Sequence, residues 1–454
     1  MRVYISWILI FVLNCVDAHA GDLGPLLKSL SRSGTKVSAL IVNLTNSREL
    51  LNVNGETPLN PASSIKLFTA YAALTRLGAN FTYKTPVYLT KDRGLCVRGG
   101  GDPSFVMEDM YLLAQGLRRK GLESYSGRIV LDPGIYDEEL YPEDRSDQNS
   151  ERAYNAPIAG LNFNYNTITV FVNPGEKGKP ARASLDFPFS FVKLEGKVMT
   201  GNSTDVTWDK KGQKETEWVT LGGKIAADGE EWHKPFRIRN PSIAFGEGLA
   251  TLLSESGVEI KGKPAISTGV CPSTEEPYFE YQSKPLPFVV GLMDKFSNNF
   301  IADSLVKMLD HEVNRRAGTA AGGIAFIKSE LEKIGIHPDK GGRSLVSGSG
   351  LTLENRMAAG DFITLLKRVH KEKTILPEFF ASLPIAGLDG TLKRKYRSTA
   401  VETRLRGKTG SLTGVQSLVG VYPTREGEWI AVAIITNGGH GIPEAELAKF
   451  LASY

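Results

Sequence analysis

Cysteine is scarce in this chain of 454 residues: there are three, at positions 15, 96 and 271. Neither Cys96 nor Cys271 lies near a catalytic signature, which argues against a thiol enzyme. The sequence alone leaves open whether the two form a disulfide. Histidine is also sparse. Its six copies are scattered, so a metal site built on them is not expected, and no cofactor is implied. Charge of one sign is lacking as well. Fifty-four basic residues face fifty acidic ones, for a net charge of +4 with no long like-charged run, which excludes the basic footprint of a nucleic-acid binder. The short cluster Lys393-Arg394-Lys395 reads as a solvated face. Internal repeats and low-complexity tracts are missing. So is a serine flanked by glycines at minus two and plus two, which excludes the nucleophile elbow of α/β-hydrolases. His311-Glu312 is followed by Arg315 where a zinc-protease helix needs a second histidine, and Gly407-Lys408-Thr409 has Glu402 where a P-loop needs glycine.

Long hydrophobic runs are limited to the N-terminus. Arg2 precedes an apolar stretch from Val3 to Val16, too short for a membrane span, and Ala18-His19-Ala20 follows as a small-x-small site. Residues 1–20 are expected to be a cleaved signal peptide, with an uncleaved anchor as the alternative. No second such run follows, so the mature protein is expected to be exported and periplasmic. Peripheral contact with the membrane stays open.

What is present divides the chain. Val37 to Leu44 and Glu49 to Val53 form a predicted hairpin. Ala62 to Leu77 is a predicted helix with Pro61 at its start and Gly78 at its end, apolar nearly all round and therefore central. Toward the C-terminus, a helical stretch is expected between Leu286 and Arg315, with further helices at Thr319–Ile334 and Ala358–His370. Strands at Val415–Tyr422 and Trp429–Ile435 and a helix over Pro443–Ala452 follow. Both ends thus mix strands with helices, and residues 21–80 and 285–454 are expected to form one discontinuous domain. Residues 81–284 carry short β-type runs, such as Leu95–Val97, Arg128–Leu131 and Thr167–Val172, among Gly, Pro and Asp clusters. They are expected to be mainly β inserted domains, two of them nested.

Three short elements carry the chemistry. Ser63-Ser64-Ile65-Lys66 is a Ser-x-x-Lys pattern. The pattern also starts at Ser33, Ser190 and Ser304, but only Ser63 heads a buried helix, where i to i+3 spacing puts hydroxyl and amine on one face. Ser297-Asn298-Asn299 precedes a helix-like run. Lys408-Thr409-Gly410-Ser411 precedes a strand, and a glycine there lets a substrate backbone approach closely. Each alone is weak. Together they supply a serine enzyme. Ser63 is the nucleophile and Lys66 its base, which must be neutral to accept a proton. Lys408 supplies a second cation for a substrate carboxylate. Ser297 can relay the proton, and Asn299 can hold Lys66 or the substrate amide. The backbone N–H groups of Ser63 and Ser411 can form an oxyanion hole.

The set of Ser-x-x-Lys, Ser-x-Asn and Lys-Thr-Gly resembles the signature of β-lactamases and penicillin-binding proteins. More narrowly, the chain resembles the low-molecular-mass, class C D-Ala-D-Ala carboxypeptidase/endopeptidase family. Further matching segments are Pro61–Ser64, Gly99 to Pro103, Tyr154-Asn155-Ala156-Pro157, Gly348-Ser349-Gly350-Leu351 and Leu383 to Leu392. The resemblance implies a β-lactamase/transpeptidase-like α/β (α+β) domain, with an antiparallel sheet flanked by helices and carrying inserts. It implies an acyl-enzyme at Ser63 with Lys66 as general base. Ser297 and Asn299 complete the proton network, and Lys408, Thr409, Gly410 and Ser411 line the substrate site. Peptidoglycan stem peptides are the implied substrates and β-lactam antibiotics the covalent inhibitors. Ser347 departs from the acidic residue common before Gly348, and Thr352 to Asn355 lack a basic residue often found there; both bear on recognition of the peptide side chain. Asp147 or Glu151 is a candidate contact for a diaminopimelate amine. The competing readings are a secreted serine β-lactamase, disfavoured by the long stretch between Ser63 and Ser297, and a non-catalytic wall-binding protein of the same fold.

Overall fold

Every residue of Lys36–Asn43 (β1) after Lys36 is buried, so this strand needs cover on both faces. In the computed structural model, which describes residues 23–142, 150–213, 215–272 and 275–454, it has that cover. The leader expected at 1–20 and Asp147 lie outside the described residues. β1 pairs with Glu49–Val53 (β2) as the expected hairpin, with an irregularity between Ile41 and Val42. Its other edge pairs with a strand from the far end of the chain. Arg406–Leu412 (β3), Val415–Pro423 (β4) and Trp429–Asn437 (β5) complete an antiparallel sheet in the order β3-β4-β5-β1-β2. The first and last parts of the chain therefore share one sheet.

Ten helices lie among the described residues. They are α1 (Leu23–Arg32), α2 (Lys66–Leu77), α3 (Met107–Arg119), α4 (Pro241–Glu255), α5 (Leu286–Phe296), α6 (Asn299–Asn314), α7 (Ala320–Glu332), α8 (Ala359–Lys371), α9 (Leu376–Ser382) and α10 (Glu444–Ala452). Side chains alternate across a strand, and the two faces of β1 meet different cores. Leu40 and Val42 join Phe68 of α2, Leu305 of α6 and Phe362 of α8. Ala39 and Ile41 join Leu27 of α1 and Leu447 of α10. Phe68 and Phe362 stack at 4.7 Å between ring centres and tie α2 to α8. Such a pair contributes about 0.5–1.5 kcal/mol beyond its buried area.

Between these ends, Lys84–Leu89, Leu95–Arg98, Arg128–Asp132, Ala265–Thr268 and Phe279–Gln282 form a second five-stranded sheet, mixed in direction. Three- and four-stranded sheets are built from strands between Thr167 and Arg237. Strands dominate here, but α3 and α4 also lie here and pack into this core, two helices that turn-rich flanks hide in the sequence. Cys96 and Cys271 are joined by a disulfide.

Glycines allow close backbone approach within this middle region and, at Gly101, beside α6. A Cβ on Gly99 would lie 2.3 Å from Gly160 O, and one on Gly100 2.2 Å from Lys84 O. Gly101 adopts φ 74°, and its carbonyl accepts from Tyr136 Oη at 3.1 Å, the same distance that separates this hydroxyl from Ser304 O of α6. Lys307 of α6, fully buried, is paired with Asp137 and Glu139 O.

Candidate active site

The nucleophile candidate sits on a turn tighter than the sequence suggests. Ala62–Ile65 is a single 3₁₀ turn, and the α-helix begins only at Lys66. The cause lies just upstream. Ala62 adopts φ 47°, and its N–H donates to Asn60 Oδ1 at 2.8 Å. Asn60 and Asn437 also exchange hydrogen bonds of 3.0 and 2.9 Å, which anchor the turn to the end of β5. With three residues per 3₁₀ turn, positions i and i+3 eclipse. Ser63 and Lys66 are such a pair, and their Oγ and Nζ lie 3.0 Å apart.

Lys66 is fully buried. Its Nζ donates to Asn299 Oδ1 at 2.7 Å and to Ser349 O. Ser63 Oγ lies 3.4 Å from the same carbonyl. Two protons on a neutral amine match these two acceptors and leave the lone pair for the Ser63 hydroxyl.

The helical stretch expected from Leu286 to Arg315 is two helices. Ser297 breaks it, with φ 56° and ψ 39°, in the left-handed region. Asn298 then caps α6 by accepting from Ile301 N at 3.1 Å. This break turns Ser297 and Asn299 toward separate partners. Asn299 reaches Lys66, and Ser297 Oγ accepts from Lys408 Nζ at 2.8 Å.

Lys408, Thr409, Gly410 and Ser411 lie on β3, the edge strand of the sheet. Lys408 is fully buried and also donates to Thr409 O at 2.6 Å. Burial lowers its ammonium to about 8, partly opposed by the Asp294 carboxyl. Thr409 Oγ1 donates to Thr391 Oγ1 at 2.8 Å, and Ser411 is exposed on the strand. Gly410 is required where it stands: a Cβ would meet Pro61 O and Ser417 Oγ, each at 2.3 Å. The strand is thus pressed against the turn that carries Ser63.

All eight sequence-predicted site residues come together in two linked groups. Ser63, Lys66 and Asn299 form one; Ser297 and Lys408 form the other, with Thr409, Gly410 and Ser411 following on the strand. Several contributors were not singled out by role. Ser64 Oγ and Ser417 Oγ are 2.7 Å apart, and Ser417 also donates to Pro61 O at 2.6 Å, so two hydroxyls pin β4 to the turn. Gly348-Ser349-Gly350 forms a third wall. Thr69 Oγ1 of α2 donates to Gly348 O at 2.9 Å, and a Cβ on Gly350, at φ 80°, would lie 2.2 Å from Ala62 O. The paired glycines were the available signal. Ser347, at the departure noted above, caps its own loop by accepting from Ser349 N and Gly350 N, both at 3.3 Å. Glu151 is held by Lys210, Arg237 and Arg239, which occupy its carboxylate.

Comparison with known proteins agrees with this architecture. Residues 20–449 match the model of the D-Ala-D-Ala carboxypeptidase 3 (S13) family. The chain is 29 % identical over 444 residues to a D-alanyl-D-alanine carboxypeptidase from Actinomadura sp. (strain R39), covering 92 % of this chain and 81 % of that one. It is 27 % identical over 421 residues to the D-alanyl-D-alanine carboxypeptidase DacB of Haemophilus influenzae, covering 89 % and 86 % of the two chains. The crystal structure of penicillin binding protein 4 from Haemophilus influenzae superposes with a TM-score of 0.77 at 25 % identity, covering 96 % of this chain and 98 % of that one. From the shared sheet to the three converging motifs, and across nearly its whole length, the chain belongs to the D-Ala-D-Ala carboxypeptidase 3 (S13) family, as a serine-type D-Ala-D-Ala carboxypeptidase.

Proposed function

We propose that the enzyme acts on peptidoglycan stem peptides through an acyl-enzyme at Ser63. The observation that carries this reading is the unbroken contact from Ser63 Oγ through Lys66 Nζ to Asn299, beside the Ser297–Lys408 contact. Lys408 attracts the terminal carboxylate of the peptide. Neutral Lys66 takes the Ser63 proton as Oγ attacks the penultimate D-Ala carbonyl. The carbonyl oxygen, now negative, faces the N–H groups of Ser63 and Ser411, donors that need no reorganisation. Collapse breaks the C–N bond. The proton passes through Ser297 to the departing amine, and D-Ala leaves. Water then gives a proton to Lys66 and adds to the ester carbonyl; the acyl C–Oγ bond breaks, Ser63 Oγ takes that proton back, and the shortened peptide leaves with a new carboxylate. Thr409 and Gly410 shape the wall along which the peptide lies. A β-lactam enters the same path but keeps its leaving group tethered after ring opening, so it remains as a covalent inhibitor.

The division into a catalytic domain, residues 21–80 and 285–454, with inserted domains over 81–284, is part of this proposal. The sheet shared by both chain ends supports it. Export to the periplasm is proposed from the leader at 1–20, and the Cys96–Cys271 disulfide fits an oxidising compartment. Among the described residues no helix is long and apolar enough to cross a membrane.

Mass spectrometry after incubation with benzylpenicillin tests the reading. One adduct is expected, on the peptide containing Ser63, and Ser63→Ala abolishes it. An adduct on another serine would move the nucleophile. Rapid turnover of a cephalosporin with no action on D-Ala-D-Ala peptides would favour a β-lactamase, and peptide binding without any adduct would favour a non-catalytic role.

A further inference from the structure

One turn before Ser297 lies a buried carboxyl group that the reaction above does not use. Asp294 sits in the last turn of α5, three residues before Ser297, and is fully buried. Its Oδ2 accepts from Ser382 Oγ of α9 at 2.8 Å, while Oδ1 has no hydrogen-bond partner among the described residues. Even the Ser382 donor is shared, because Phe379 O is also 2.8 Å from that hydroxyl. A buried carboxylate with so few donors is costly unless cations stand near it.

Three lysines act electrostatically on Asp294: Lys408 of β3, Lys66 at the head of α2, and Lys295 beside it on α5. Lys295 is engaged elsewhere, with Asp389 at 2.6 Å and Leu383 O at 3.0 Å. Lys66 has Ser63 and the acceptors that suit a neutral amine. Lys408 has hydrogen-bonding contacts with Ser297 Oγ and Thr409 O, and an ammonium brings three N–H donors. Of the three lysines, Lys408 has the strongest electrostatic influence on the Asp294 carboxyl.

We propose that Asp294 is a positioning residue that decides which active-site lysine carries the proton: its buried carboxylate keeps Lys408 as the cation and leaves Lys66 as the neutral amine. The inference rests on the roles assigned above to these two lysines. The physical reason is charge balance. Two ammonium groups in one dry cleft repel, and one carboxylate balances one of them. Burial raises the Asp294 carboxyl and lowers the Lys408 ammonium, and each group's charge opposes the other's shift.

Asp294→Asn keeps the size and the Ser382 contact but removes the charge. The assay is the second-order rate of acylation by benzylpenicillin, which carries a carboxylate, from about pH 5 to about pH 10. In the wild type, the rate falls on the alkaline side as Lys408 loses its proton. In Asp294→Asn that limb moves to lower pH by about one unit, a roughly tenfold loss on the limb, with the adduct still on Ser63. Ser382→Ala leaves the carboxyl in place but removes the hydrogen bond that helps to keep it ionised, so its limb is expected between those of wild type and Asp294→Asn. Superimposable profiles for wild type and Asp294→Asn overturn the proposal, as does a shift in Ser382→Ala larger than that in Asp294→Asn. A second measurement needs no Asp294 variant. In wild-type protein carrying ¹³C-lysine, with resonances assigned through Lys66→Arg and Lys408→Arg, Lys408 is charged and Lys66 neutral at about pH 7. The reverse assignment overturns the proposal even if Asp294→Asn does not fold. Failure of the wild type to label at Ser63 would instead overturn the acyl-enzyme reading, and the lysine titration would still decide where the proton resides.

Discussion

Gly410→Ala adds one methyl group at the point where β3 meets the nucleophile turn. Its Cβ would lie 2.3 Å from Pro61 O and 2.3 Å from Ser417 Oγ. Ordinary contact begins near 3.4 Å, so relief needs a shift of about 1 Å. Ser417 can rotate, though it then gives up its 2.6 Å bond to Pro61 O. Pro61 O cannot rotate away, because the Asn60–Asn437 pair holds the backbone just before it. The strand must therefore lift, taking Lys408 and the Ser411 N–H with it, while Ser63 stays with α2. A misplacement of about 1 Å between reacting groups costs roughly 100-fold in rate. That corresponds to about 2.7 kcal/mol of barrier. Overpacking at this site is expected to lower stability by about 1–3 kcal/mol. Stopped-flow acylation by a fluorescent penicillin reads the first quantity, and thermal unfolding followed by circular dichroism reads the second. Gly407→Ala is the control on the same strand. Its Cβ meets Leu418 Cδ1 at 2.9 Å, the end of a flexible side chain, so a much smaller effect is expected. If Gly410→Ala acylates within about threefold of wild type and melts at the same temperature, less than about 0.7 kcal/mol of barrier is involved and the seating argument is wrong.

Burial lowers Lys408 to about 8, and its cationic form predominates below that value. KM for a peptide with a free terminal carboxylate is therefore expected to rise as pH climbs through about 8, whereas an amidated analogue, with nothing for the cation to attract, shows no such rise; parallel profiles would exclude the carboxylate role. Ser417→Ala removes the hydroxyl that links Ser64 to Pro61 O. A loss of roughly 1 kcal/mol in stability is expected, with slower acylation but an unchanged adduct site by mass spectrometry. Breaking the Cys96–Cys271 disulfide by Cys96→Ala with Cys271→Ala is expected to cost about 2–5 kcal/mol in thermal unfolding. Penicillin labelling of the folded fraction should persist, because Cys96 lies in the second five-stranded sheet and not in the sheet that carries Lys408; loss of labelling in folded protein would link the two regions functionally.

Much of the catalytic constellation was legible because each motif is local. Ser63 and Lys66 sit three residues apart, as do Lys408 and Ser411, and short spacings survive any fold that keeps a turn or strand there. Strands with strong patterns were placed to within a residue or two. The helix-like run after Ser297-Asn298-Asn299 was legible, but within the helical stretch from Leu286 to Arg315 the left-handed backbone at Ser297 that divides it was not. The 3₁₀ turn at Ala62–Ile65 was hidden for a similar reason, since it depends on Asn60 and on Asn437, which lies at the other end of the chain. Helices α3 and α4 escaped notice among turn-rich neighbours.

The amino-acid order by itself determined which chemistry this protein carries: a hydroxyl and an amine one turn apart, a Ser-x-Asn pair, and a Lys-Thr-Gly strand. Short-range spacing sets relations within each of these, and a linear pattern records it. Only the tertiary structure decided how they face one another. The β1–β5 pairing brings residues from both chain ends into one sheet, Gly410 lets β3 touch the Ser63 turn, and α5 buries Asp294 within the electrostatic reach of Lys408. Those relations depend on packing and on an electric field shared by groups hundreds of residues apart, and the charge on a buried lysine depends on every neighbour the fold places around it.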